Sequence, residues 1–150
     1  MTNITNLPDG HYFVFGSNEA GRHGKGAALC ARKHFGAVYG QGHGEQGRSY
    51  AIATKDASLR SLSLDEIREN VRIFILHAIS HQHKQFAVSR VGCGLAGYRD
   101  EQIAPMFKGH PSNVYFLDEG WKDRDNQLTV FNCHFIAINI VQAANSGRDL

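Results

Sequence analysis

Two short apolar runs, Tyr12-Phe-Val-Phe-Gly16 and Phe86-Ala-Val-Ser-Arg-Val91, each open directly into a glycine-rich loop, and this repeated junction constrains the fold more than any other feature. A β-branched and aromatic run bounded by glycine reads as a strand. The first loop, Ser17 to Gly26, leads into Ala27-Ala-Leu-Cys-Ala-Arg-Lys-His-Phe35, a run of good helix formers with Gly36 where a left-handed cap is wanted. The second loop, Gly92 to Gly97, leads into a short helical piece near Asp100 to Phe107. Strand, glycine turn and helix in alternation predict an α/β domain with a largely parallel sheet.

The rest of the chain fits that pattern. A glycine-rich connection, Gly40 to Gly47, precedes a strand at Ser49-Tyr-Ala-Ile-Ala-Thr54, which ends on Lys55. Ser63 and Glu66 have capping-box spacing, with Leu62 and Ile67 at the staple positions. Ile67, Val71, Phe74, Ile75, Ala78 and Ile79 then recur as one buried helical face. Asn113-Val-Tyr-Phe-Leu117 is a last strand. Beyond Trp121 the composition changes, so residues 1–121 are expected to form the domain and 122–150 a tail or an extra packed element. Ligands of parallel sheets sit outside the carboxyl ends of the strands, where both glycine loops and Lys55 fall.

Composition excludes several classes. A net charge of +2 is too slight to hold nucleic acid or a membrane by bulk electrostatics, so any anion must be met by a local site. Cys30, Cys93 and Cys133 form no paired framework, which fits a reduced compartment. Met1 to Gly10 is polar and reads as no signal peptide, and the apolar stretch Phe131 to Val141 is too short to span a bilayer. A cytoplasmic protein without a membrane partner is expected.

Gly21-Arg-His-Gly-Lys-Gly26 closes on no Gly-Lys-Ser/Thr, so it is not a Walker loop, and it lacks the dinucleotide fingerprint. It does have anion-binding chemistry, because glycines let backbone N–H groups crowd a phosphate and a following helix N-terminus adds positive potential. The alternative is a tight connection. Lys55 read alone is a solvated lysine; as a functional group it is an amine nucleophile. His77, His81 and His83 have no completing Cys or carboxylate for a metal and read as an exposed polar helix end. Cys93 reads as a small packing residue, and Arg22 and Arg99 as facing either phosphate or solvent.

Taken together, these features resemble a macrodomain, the ADP-ribose-binding three-layer α/β/α module with a mixed, mostly parallel sheet. Asn18-Glu-Ala-Gly-Arg-His-Gly-Lys-Gly-Ala-Ala28 resembles the family's first ligand loop. Arg90-Val-Gly-Cys-Gly-Leu-Ala-Gly97 resembles the second loop of the lysine-dependent branch, which holds terminal ADP-ribose glycohydrolases and antitoxins that remove ADP-ribose from DNA. Thr54-Lys55 stands where that branch has its Thr-Lys pair. The resemblance, over roughly Phe13 to Trp121, implies a ligand set of Asn18, Gly21, His23, Gly24, Lys25, Gly26, Thr54, Gly92, Cys93, Gly94, Leu95, Ala96, Gly97 and Tyr98. Asn18 would contact the distal ribose and the glycines the diphosphate. Lys55 would be the catalytic nucleophile, and neither a cofactor nor a metal is implied. The implied partners are ADP-ribose or a related nucleotide and ADP-ribosylated DNA or protein, met through Lys25, Arg48 or Arg99.

The chain departs from the pattern at identifiable places. The second loop carries no carboxylate before Asp100. The family's preceding strands and adenine-contacting Asp have no counterpart, so the domain reads as N-terminally shortened, with Asp9 or Asp56 as substitutes. Two functions stay open at this point, an ADP-ribosyl glycohydrolase and a binding module that does no chemistry, with a scaffold assembled through the apolar tail as a third.

Overall fold

A computed structural model describes residues 4–124 of the chain. The element order is β1 (His11–Asn18), α1 (Gly26–His34), β2 (Gly44–Gln46), β3 (Ser49–Lys55), α2 (Leu64–Ile79), β4 (Gln85–Val88), α3 (Asp100–Ile103), a 3-10 turn (Ala104–Phe107) and β5 (Val114–Phe116). Residues 119–124 are helical. The sheet runs β2-β3-β1-β4-β5, with β1 central. β1 is parallel to β3 and β4, β4 is parallel to β5, and only β2 is antiparallel.

Both faces of this sheet are covered, which is why its strands are apolar almost throughout rather than alternating. Pleating sends Phe13 and Phe15 to one face with Ala51 and Ala87, beneath Ala28, Ala31 and Phe35 at α1. It sends Val14 to the other with Tyr50, Ile52, Phe86 and Val88, beneath α2 and the α3 segment. The result is the three-layer α/β/α sandwich with a mixed, mostly parallel sheet.

The α2 start follows the predicted capping, with Ser63 Oγ accepting the Glu66 N–H at 3.2 Å. Its fully buried stripe is narrower than the periodicity suggests: Ile67, Val71, Phe74 and Ala78 are buried, whereas Ile75 and Ile79 are only partly so. Those four positions follow one i, i+4, i+7, i+11 line, and the flanking isoleucines fall beside it. At the end of α1, Gly36 takes the expected left-handed conformation, φ +71°.

Three boundaries differ from expectation. The Gly40–Gly47 connection contains the edge strand β2. β4 stops at Val88, not Val91, because Ser89 spends its Oγ–H on Val14 O at 2.7 Å and Val91 N–H turns back to Ser89 O. β5 begins after Asn113, whose buried side-chain amide lies 2.9 to 3.1 Å from the carbonyls of Ala78, His81 and Lys84 and clamps the end of α2. Among the described residues β1 is the first strand, and no helix is long and apolar enough to cross a membrane. The tail expected from residue 122 lies almost wholly outside the described residues.

Candidate functional site

Because β3, β1 and β4 are adjacent and parallel, their carboxyl ends emerge at one rim. The packing there is close: a Cβ on Gly16 would lie 3.5 Å from Gly92 N and 3.6 Å from Thr54 Oγ1. Thr54 is buried and donates its hydroxyl to Ser17 O at 3.3 Å. It ties two strands together. The register shifts between Ser17 and Asn18, so that Asn18 aligns with Lys55, and Glu19 N–H bonds Lys55 O at 2.9 Å.

The first loop divides into a knotted half and an open half. Asn18 is 8% exposed, and its amide is engaged locally, donating to Arg22 O at 3.0 Å and accepting Arg22 N–H at 2.9 Å. These two bonds fold the loop back on itself. Gly21 is left-handed at φ +68°, and a Cβ there would stand 2.3 Å from Gln41 N. His23 is fully buried, edge-on to Phe15, with Nε2 3.0 Å from Gln41 O and 3.2 Å from Gln46 Oε1. Gly21 and His23 therefore hold the loop against the Gln41–Gln46 arm. Gly24 and Lys25 are exposed, and a Cβ on Gly24 would meet nothing within 4 Å. Lys25 occupies the N-cap of α1 without a side-chain cap, and the first turn contains no acid, so the turn's free N–H groups and dipole are open to an anion.

The second loop faces that turn. Leu95, 66% exposed, places Cδ1 4.0 Å from where a Gly26 Cβ would be. Tyr98 N–H closes the loop on Gly92 O at 3.0 Å, and Ser61 Oγ donates to Ala96 O at 2.6 Å. Tyr98 donates its hydroxyl to Leu62 O and so anchors the loop from below. Gly92 is buried against Ile103. Gly94, Leu95 and Gly97 are exposed and Ala96 half-buried.

Cys93 is half-buried against the core. Burial and the neighbouring Asp100 carboxylate push its thiol up to about 12, which keeps it from acting as a thiolate nucleophile. Asp100, the first carboxylate after the second loop, is engaged by Arg90 at 2.8 Å and by Trp121 Nε1–H at 2.7 Å. Arg90, against a smaller opposing effect of burial, holds its carboxyl below the usual range with help from Trp121. A carboxylate so paired supplies no acid or base to the rim.

Lys55 is half-buried at the end of β3, and among the described residues its ammonium has no hydrogen-bond or ion-pair partner. The loop beyond it is held by Asp56 Oδ1, which accepts the N–H groups of Ser58 and Arg60 at 2.9 and 3.0 Å. Inside that turn Leu59, 44% exposed, is left-handed at φ +66°, the only such non-glycine among the described residues. Asp56 is thereby occupied. Asp9 precedes β1 at the opposite end of the sheet, so it is not brought to this rim. Arg48 donates to the carbonyls of Leu7, Pro8 and His11, also away from the loops. Arg99 is exposed, 3.8 Å from Glu101.

His77 and His81 are held by protein partners, His81 Nδ1 lying 2.6 Å from His77 O, and no metal-holding group exists among the described residues. His77 Nε2 is 3.1 Å from Glu45 Oε1, and Lys84 Nζ is 2.7 Å from Glu45 Oε2. Burial acts to raise the Glu45 carboxyl, and the bonds from Lys84 and His77 outweigh it, leaving the group below its ordinary value. This cluster fastens β2 to the end of α2. The residues that the sequence reading missed lie on the same arm: Gln41, Gly42 and Gln46. Only the glycine density of Gly40–Gly47 signalled them, and glycine density does not say what a backbone packs against.

No protein-family model matches the chain, and no curated protein matches it. Solved structures do. A protein of unknown function from Bacteroides thetaiotaomicron is similar over 71% of this chain and 88% of its own, at 22% identity and a TM-score of 0.49. Thermosipho africanus DarTG in complex with ADP-ribose is similar over 74% of this chain at 17% identity and a TM-score of 0.49, the match spanning 39% of that chain. Another Bacteroides thetaiotaomicron protein is similar over 71% of this chain at 22% identity and a TM-score of 0.46. The chemistry of the rim rests on its own residues.

Proposed function

We propose that the chain is a macrodomain-like ADP-ribosyl glycohydrolase of the cytoplasm that removes ADP-ribose from a modified macromolecule or nucleotide, with Lys55 as nucleophile. The observation that carries this reading is the facing of two glycine turns, Gly24–Gly26 and Gly94–Gly97, where Leu95 Cδ1 lies 4.0 Å from the place a Gly26 Cβ would take, beside an uncapped α1 N-terminus and a Lys55 without a partner among the described residues. Backbone N–H groups at a helix start hold a diphosphate without desolvating a side-chain cation. A sugar so anchored presents its anomeric carbon to an amine on the neighbouring strand end. The amine nitrogen of Lys55 bonds that carbon as the bond to the linked group breaks, and the leaving group departs with its electron pair and a proton from the amine. Water then adds to the carbon, the carbon–nitrogen bond breaks, and the amine regains its proton.

Titrating ADP-ribose into the protein, with AMP as control, tests the site. Micromolar affinity exceeding that for AMP is expected, and no saturation would overturn the reading. Lys55→Ala is expected to abolish turnover of ADP-ribosylated DNA or protein while affinity changes less than about threefold. Unchanged turnover would remove Lys55 from the mechanism. A binding module is the second reading, favoured by the pairing of Asp100 with Arg90 and Trp121. Tight binding without product over long incubation selects it.

A further inference from the structure

We infer that His23 and Gln46 are positioning residues, a buried latch that sets where Gly24–Gly26 stand and so how their N–H groups meet the anion. The inference rests on the ligand reading above. The latch joins the first loop to the β2 arm, which sequence alone presents as a mere connection.

Gln46 is 4% exposed, and its amide orientation is fixed by its partners. Oε1 accepts the Val38 N–H at 2.7 Å, while Nε2 donates to Gln41 O at 3.1 Å and Gly44 O at 3.3 Å. His23 Nε2 therefore faces two acceptors, Gln41 O and Gln46 Oε1, and must carry the hydrogen. Nδ1 is then a bare acceptor, and it is buried without a partner. A phenylalanine would fill the same space against Phe15 without leaving a polar atom orphaned. What the histidine adds is the grip of its Nε2–H on the Gln41 carbonyl.

That grip has a geometric consequence. Gly21 N–H bonds Asn18 O within the loop at 2.9 Å, and Gly40 N–H bonds Gly21 O at 2.8 Å, which laces the arm to the loop. A Cβ on Gly42 would lie 2.3 Å from Asn18 O. The latch closes the lacing on the residue immediately before the open turn. A turn fixed in advance loses little freedom on binding, and the benefit appears as affinity.

The test uses His23→Phe, His23→Gln and His23→Asn, with Gln46→Leu as the partner variant. The Gln carboxamide nitrogen reaches the Nε2 position, whereas that of Asn reaches only the Nδ1 position. ADP-ribose affinity is expected to fall roughly tenfold or more in His23→Phe and His23→Asn and to return within about threefold in His23→Gln. Gln46→Leu combined with His23→Phe is expected to cost little more than either alone, because one latch is broken once. Affinity of His23→Phe equal to the wild type would overturn the inference. So would losses in all three His23 variants that merely track their melting temperatures. Amide order of Gly24, Gly26 and Ala27 by 15N relaxation provides a readout without ligand: loosened in His23→Phe and tight in His23→Gln. If the wild type fails to bind ADP-ribose, the ligand reading falls, while the relaxation comparison still decides whether the latch positions the turn.

Discussion

The two glycine loops at the strand ends look alike in composition and are built in opposite ways. The first is knotted on itself at Asn18 and laced to a neighbouring arm at Gly21 and His23, while Gly24 and Lys25 lie exposed ahead of α1. The second is tied at its base by Tyr98 N–H to Gly92 O and at Ala96 O by Ser61, and its tip carries an exposed leucine. Glycine serves two physical ends here. At Gly21 it permits backbone to touch backbone, whereas at Gly24 and Gly94 it leaves an open surface.

The sharpest way to break this contrast is Gly21→Ala. Its Cβ would stand 2.3 Å from backbone at a left-handed residue, so a loss of about 3 kcal/mol or more is expected in thermal or urea unfolding. Wild-type stability would show that the lacing does not exist. Next comes Asp100→Ala, which strips Trp121 and Arg90 of their acceptor at the base of the second loop. A cost of about 1 to 3 kcal/mol is expected from chemical denaturation.

The same carboxylate has a pH signature. Its pKa in the folded chain lies below the ordinary value, so the folded state binds fewer protons than the unfolded state between the two values. Its contribution is present above about pH 4, the unfolded Asp value, and is lost as pH falls through the lowered one. Acid unfolding curves of Asp100→Asn should lack that part of the slope, and an unchanged slope would contradict the pairing.

Gly24→Ala and Gly94→Ala should shift stability by no more than about 0.5 kcal/mol, since neither Cβ meets an atom and neither residue is left-handed. ADP-ribose affinity should nonetheless fall in Gly24→Ala. A stability loss matching that of Gly21→Ala would erase the distinction between the two kinds of glycine. The smallest effect concerns Cys93, which should resist iodoacetamide at pH 8 in the folded protein and react on unfolding, because its thiol is held up to about 12.

The strands, the α2 cap and the alternation of strand, glycine turn and helix were legible because each is a local signal: Ser63 caps the N–H three residues on, and Tyr12 to Gly16 needs only its own composition to read as a strand. The site was legible in outline. Gly24, Lys25, Gly94 and Leu95 are exposed on the two loops at the rim, and Gly26 is half-buried there. The resemblance to macrodomains places Thr54, Gly21, His23 and Tyr98 in the ligand set, and in the structure partners distant in sequence engage their side chains or pack against their backbones.

The sequence by itself determined the alternating architecture, the rim at which the loops and Lys55 meet, and the missing carboxylate in the second loop. Hydrophobic periodicity and turn chemistry act within a few residues, so they can be read along the chain. Only the tertiary structure decided which glycine is a hinge between backbones and which an open surface, that Asp100 is spent on Arg90 and Trp121, and that Gln46 reaches His23. Those outcomes depend on which carbonyl or amide lies within 3 Å once distant segments pack, and no local pattern carries that information.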